Sequence, residues 1–268
     1  MASAVAAERR LHVSPERSIR GYVYDLAHFE LSEMTQVAAR LRHIGRGAAT
    51  CEHACQRVAE FFWSEFVSPD DGRPTFALTR CYKTHAFGDV PPALARFALG
   101  VFPDRTPTAA TQCLTLLGTF GDREEWRSRH TSRGHQAIPL IDERTVESLP
   151  MVARVLRALG IDSINVVKPD PVLLLEKDRQ GFNVFHVENA VGNPYIPAQD
   201  FVQDSRIRSV IGFGFVTPPA SVFVMILFSR QSIAADTAQL FKTLALSLKL
   251  ALLPLLTRNV FDDPEAGA

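Results

Sequence analysis

Residues 182–256, FNVFHVENAVGNPYIPAQDFVQDSRIRSVIGFGFVTPPASVFVMILFSRQSIAADTAQLFKTLALSLKLALLPLL, decide the fold. Within them NVFHVE (183–188), SVIGFGFV (209–216) and VFVMILFS (222–229) are rich in Val, Ile and Phe, side chains that suit a pleated, half-buried surface. Turn residues separate them, in VGNPYIP at 191–197 and TPPAS at 217–221. TPPAS is too short for a parallel crossover, so the strands on either side of it must be antiparallel neighbours. Over 232–258 the spacing of Leu240, Leu244, Leu248, Ala251 and Leu255 predicts a helix. The unit is therefore strand, turn, strand, turn, strand and long helix, belonging to an α+β domain.

Upstream, apolar residues recur at three- and four-residue steps from Leu26 to Ile44 until Gly45 and Gly47 interrupt them, which predicts a helix over 25–49. Thr50 is placed to cap a second helix ending near Val67. TFALTRCYKTH (75–85) and QCLTLLGTF (112–120) read as strands, with a Pro-started helix over 92–99 between them. AIPL at 137–140 is a short apolar stretch, and 144–159 reads as one helix stopped by Gly160. Between these lies DREEWRSRHTSRGHQ (122–136), a long polar connection of the kind that usually carries function. Residues 1–24 are expected to form a flexible arm, 25–258 a single domain and 259–268 a tail.

Lys plus Arg and Asp plus Glu number 29 each, and the pI is near 7.1. That balance lacks the basic footprint that nucleic-acid or anionic-membrane binding requires. The longest apolar run, LALSLKLALLPLL at 244–256, contains Lys249 and Pro254 and is shorter than the roughly 18–20 residues that span a bilayer. The first twenty residues carry charges within the first ten and contain no apolar h-region, so no secretory leader is expected and a cytoplasmic location is. Cys51, Cys55, Cys81 and Cys113 are too few and scattered for a disulfide scaffold.

GNPYIPAQDFV (192–202), IRSVIGFGF (207–215), VFVMILFSR (222–230) and LFKTLALSLKLALLP (240–254) together resemble a GAF-like sensory domain, a family found ahead of PAS, histidine-kinase or cyclase modules in bacterial signalling proteins. RCYKTHAFG (80–88), CLTLLGTFG (113–121) and REEWRSRHTSRGHQAIPL (123–140) are similar to the same family, so the resemblance covers residues 25–258. It implies an antiparallel sheet of five or six strands, with N- and C-terminal helices packed together on one face. It also implies sensing of a small molecule rather than catalysis, with the terminal helices as a homodimer bundle whose seam would be Leu240, Leu244, Leu248, Ala251 and Leu255. Two departures stand out. No kinase, cyclase or DNA-binding module follows in this sequence, so the output would be a partner protein such as a histidine kinase, or the chain is a fragment. Ala86 also follows His85 where the family motif has proline.

Tyr82, Lys83 and His85 end a strand beside a glycine turn, a place where GAF-type folds line a pocket, and Lys83 and His85 share one side of the strand. Trp126 and His135, with Arg127, Arg129, His130 and Arg133, mix a large aromatic with several donors, a combination suited to closing over a ligand. His135, just before AIPL, is expected to be the most buried of these. Tyr195 sits in a Pro/Asn turn and would face a cavity or simply reverse the chain. The ligand-binding candidates are thus Tyr82, Lys83, His85, Trp126, His135 and Tyr195; no cofactor, metal site or catalytic residue is assigned.

Other readings are weaker on the residues. In CEHAC, Cys51 and Cys55 share a helix face while His53 points away, which favours packing over metal binding. Gly212 and Gly214 lack the third glycine and helix start of a dinucleotide fingerprint and read as close-packing positions. A haem sensor would draw on His85, His135, His186 or Cys81, and a hydrolase on Cys81 or Cys113 with His85 or His135. A dimerisation or interaction module with no ligand is the main alternative to the sensor.

Overall fold

The computed structural model describes residues 23–181, 183–256 and 260–262. The expected arm over 1–24 and tail over 259–268 lie almost wholly outside these residues, as does Phe182. Six strands, β1 (Phe76–Ala86), β2 (Gln112–Gly121), β3 (Ala137–Leu140), β4 (Phe185–Val187), β5 (Ser209–Thr217) and β6 (Ser221–Ser229), form one sheet in the order β3-β2-β1-β6-β5-β4. Every neighbouring pair is antiparallel. β5 and β6 pair from Ser209↔Ser229 to Thr217↔Ser221, the hairpin that the short TPPAS link requires.

The sheet is covered on both faces, so β1, β5 and β6 are buried along nearly their whole length. That is why they read as continuous apolar runs rather than as alternation. On one face lie α1 (Leu31–Leu41), α2 (Cys51–Glu65) and α9 (Ala235–Leu252), which are the N- and C-terminal helices packed together. This is the α+β arrangement expected from the motifs, an antiparallel sheet with the N- and C-terminal helices on one face. Phe241 of α9 holds the layer: its ring lies 5.3 Å from Phe29, 6.4 Å from Phe62, 6.1 Å from Phe66 and 5.9 Å from Phe213 of β5. Such clusters add roughly 0.5–1.5 kcal/mol per pair beyond simple burial.

Local chemistry explains the boundaries. Thr50 Oγ1 accepts the His53 amide at 3.0 Å and starts α2. The helix expected over 25–49 is shorter, because Asp25 caps a single 3-10 turn at Leu26–His28 and a capping box between Glu30 and Glu33 starts α1 afresh. The helix expected over 144–159 is two, α4 (Glu143–Glu147) and α5 (Pro150–Ala158), because Pro150 forces Leu149 out of the helical region to φ −107, ψ 86. Between 160 and 181, α6 (Ser163–Val167) and α7 (Pro171–Gln180) fill a stretch that the periodicity left unassigned. Asp170, capping the amides of Val172 and Leu173 ahead of Pro171, was the signal for α7. α3 (Pro92–Val101) and α8 (Gln199–Asp204) complete the helices of the described residues.

The dimer seam expected on α9 is consumed internally. Leu244, Leu248 and Ala251 are buried, and Leu240 and Leu255 are half-buried against the core. Leu246, Leu250 and Leu253 point outward instead. Among the described residues no helix is long and apolar enough to cross a membrane.

α2 lies flush on β2 because Gly118 has no side chain: a Cβ there would sit 2.4 Å from the carbonyl carbon and oxygen of Cys55. Gly118→Ala is therefore expected to lower the unfolding midpoint in urea by the equivalent of about 1–3 kcal/mol, the usual penalty of overpacking. Gly100→Ala, in α3 with nothing within 4 Å of the added methyl, should be neutral or slightly stabilising.

Candidate functional site

The pleat of β1 divides its side chains between the two faces. Thr79, Cys81, Lys83 and His85 point toward the terminal helices. Leu78, Arg80, Tyr82 and Thr84 point the other way, into a cavity of about 440 Å³. Its floor is β1 with Leu114 of β2 and Val222, Val224, Ile226 and Phe228 of β6. Its roof is α5 through Met151, Val152, Val155 and Leu156, with Phe201 of α8, and the 122–136 segment closes one side through Trp126, Gly134 and His135. The volume is within the usual small-molecule range of roughly 300–1,000 Å³.

The polar groups of this largely apolar chamber gather around Arg80. Its guanidinium donates to the Tyr82 hydroxyl at 3.1 Å and to Ser132 Oγ at 3.4 Å, while its Nε is buried without a partner. Thr84 Oγ1 accepts the Val222 amide at 2.9 Å, which leaves its hydroxyl proton free for another acceptor. Trp126 is buried, edge-on to Phe201 at 5.7 Å, with the Arg123 guanidinium 4.7 Å over its ring. His135, held at φ 58, is exposed at the rim, where partial desolvation and the charge of Arg80 lower its pKa. Arg123 and Arg133 also stand at the rim, with Glu125.

Of the six candidate residues, Tyr82, Trp126 and His135 line this chamber; Lys83, His85 and Tyr195 do not. Lys83 and His85 do share a side of β1, but it is the side under the helices. Among the described residues Lys83 Nζ reaches the Thr84 carbonyl, at 3.4 Å, and burial lowers its pKa to about 8. His85 Nδ1 meets Thr115 Oγ1 at 2.5 Å and its ring packs 4.9 Å from Phe261. Burial, then the charge of Lys83, lowers its pKa to about 3. Tyr195 is in a surface turn, beneath the Arg154 guanidinium at 5.0 Å. Within the 122–136 segment Trp126, Arg129 and Ser132 are buried, whereas His135 is exposed. Arg80 was passed over because it sits inside an apolar strand; counting in steps of two from Tyr82 would have put it on the same face.

Arg129 makes a two-pronged ion pair with Glu52 of α2, Nε to Oε1 at 2.8 Å and NH2 to Oε2 at 2.7 Å. His130 Nε2 lies 3.1 Å from Glu52 Oε1. Glu52 also ties down the C-terminal segment: Oε2 accepts the Asp262 amide at 3.0 Å, and the Glu52 amide donates to the Val260 carbonyl at 2.8 Å. Gln56, one turn on, donates to the carbonyls of Thr119 and Arg127. The segment that walls the cavity is thus bound to the start of α2 and to residues 260–262.

The thiols behave as core groups. Cys51 and Cys55 stand 3.9 Å apart; this contact and then burial raise the pKa of Cys51, while burial raises that of Cys55. Cys113 pairs across the sheet with His85, yet its thiol is pushed up to about 12 by burial while the imidazole is pushed down. These shifts oppose formation of a thiolate–imidazolium pair. Among the described residues no three His, Cys, Asp or Glu side chains are grouped to hold a metal ion. Gly212 and Gly214 are close-packing positions; a Cβ on Gly214 would lie 2.1 Å from the Phe223 oxygen.

No family model and no curated protein matches the chain. Solved structures do. A free methionine-R-sulfoxide reductase from Neisseria meningitidis, solved with its substrate, aligns at 11% identity and TM-score 0.43, covering 85% of this chain and 96% of that one. The GAF domain of a phosphoenolpyruvate-protein phosphotransferase from Coxiella burnetii aligns at 9% identity and TM-score 0.41, covering 82% and 92%. The chromophore-binding domain of a bacteriophytochrome from R. palustris gives 10% and 0.40, covering 84% and 63%. At these scores the likenesses support no statement about activity or ligand.

Two outcomes are expected. The unfolded chain takes up a proton below pH 6.5 that folded His85 refuses until about pH 3. Stability should therefore fall as pH drops through that window, by at most about 1.4 kcal/mol per pH unit for this group. Urea melts at pH 6.5 and 4 should show a smaller loss for His85→Gln than for the wild type. Arg129→Met should destabilise the fold by about 3–5 kcal/mol by stranding the Glu52 carboxylate, and Glu52→Gln combined with it should recover part of the loss in a double-mutant cycle.

Proposed function

We propose that this chain is a non-catalytic sensory domain that binds a small molecule in the chamber beneath the sheet and signals through its terminal helices to a partner protein. The observation that carries this reading is the chamber itself: a largely apolar space of about 440 Å³ with polar groups gathered at one end. A concave, mostly apolar site with a few convergent polar groups is the usual form of a small-molecule site.

The route outward runs through Glu52. A ligand that repositions the 122–136 segment moves Arg129, and Arg129 shares the Glu52 carboxylate with the backbone of Asp262, C-terminal to α9. Signalling requires that the ligand bind the two arrangements of this network with different affinity. The outward-facing Leu246 and Leu250 of α9, with Leu253 at its C-cap, form a stripe with the spacing of one helix face, and this supports a homodimer or a signalling partner seated there.

Native mass spectrometry with an absorbance spectrum on freshly purified protein tests the reading: a non-covalent adduct is expected, lost on denaturation. Trp126→Ala should weaken its retention at least tenfold while the protein stays folded. Unchanged retention would remove the 122–136 segment from the site. For the stripe, light scattering at tens of micromolar should give a dimer that Leu250→Glu converts to monomer; a wild-type monomer would leave the stripe to a different partner.

A further inference from the structure

We propose that the chamber is built for an amphipathic monocarboxylate, with its carboxylate on Arg80 and its hydrocarbon body against the sheet and α5. This rests on the ligand-binding reading above and names the class of ligand.

Arg80 is only 9% exposed. A guanidinium carries five N–H donors and a charge that cannot be shed. Here two donors meet neutral hydroxyls, Tyr82 and Ser132, and Nε has no partner. Among the described residues Arg80 is in no ion pair, although Glu125 stands on the same wall. The contrast with Arg129 is direct: still more deeply buried, it has both prongs on Glu52. A buried charge left in this state is strongly unfavourable unless something completes it.

The missing partner must be an anion with oxygen acceptors, because guanidinium and carboxylate match fork to fork. One guanidinium favours a single negative charge. The neighbouring donors, Tyr82 and Thr84, are neutral, and the surroundings of His135 hold it below the ordinary imidazole pKa. Beyond that end the walls offer only hydrocarbon, from Val152, Val155, Leu156, Val224 and Ile226. Arg123 and Arg133 at the rim give an approaching anion a favourable field.

Dodecanoate and dodecanol share a chain and differ in the head group, so titration calorimetry of the full chain with both isolates the Arg80 contribution. Dodecanoate is expected to bind roughly 10- to 100-fold more tightly than the alcohol, the usual range for a charge-assisted pair. Arg80→Met should abolish that difference and leave dodecanol binding as it was. The same variant in the empty protein should melt at a higher temperature than the wild type, since it removes an uncompensated charge, so loss of binding cannot be mistaken for unfolding. Equal binding of acid and alcohol would overturn the carboxylate assignment while keeping a ligand in the chamber, as would tighter binding of dodecyl phosphate. No binding of either, together with no adduct in the native mass spectrum, would overturn the ligand-binding reading itself.

Discussion

Everything at this site depends on the pleat of a strand that is covered on both faces. Because successive β1 side chains alternate, Arg80 and Tyr82 enter a chamber while Lys83 and His85, a few ångströms away along the chain, are sealed beneath the helices. Two kinds of buried cationic group result. Those under the helices meet their desolvation by lower pKa values; an arginine has no such recourse and must find an anion. One strand thus carries three basic side chains, Lys83 and His85 on the face under the helices and Arg80 on the face that lines the chamber.

How far the sequence was legible follows from the same pleat. The β5–β6 hairpin and α9 were readable because the TPPAS link is too short for any other connection and the helix carries its apolar spacing openly. The 144–159 region was misread as one helix, although Pro150 stood in the sequence as a breaker, because the apolar spacing continues across it. Trp126 and His135, expected from composition and loop length, line the chamber. Lys83 and His85 were assigned to a pocket because parity along a strand tells which residues share a face, but not which face holds space. A strand buried on both sides gives no polar–apolar contrast to settle that question, and the placement of α2 had to settle it instead.

The Glu52–Arg129 pair has a different character from the rest of the core. It is buried, two-pronged and joined by two backbone contacts from residues 260 and 262, so three distant parts of the chain meet at one carboxylate. Hydrophobic substitution of such pairs is often tolerated in stability terms. What would be lost here is the directional link between the cavity wall and residues 260–262, a property that apolar packing, being non-directional, does not supply.

Gly118 gives the two faces of the sheet unequal mechanical character. On the helix side the backbone of α2 is in van der Waals contact with the backbone of β2, with no side chain between to yield. On the other side the chamber is roofed by α5, a short helix cut off from α4 by proline, and by a segment with little regular structure. A volume change inside the molecule must therefore be absorbed almost entirely on the α5 side. The sheet with its terminal helices behaves as an anvil, and only the roof has compliance.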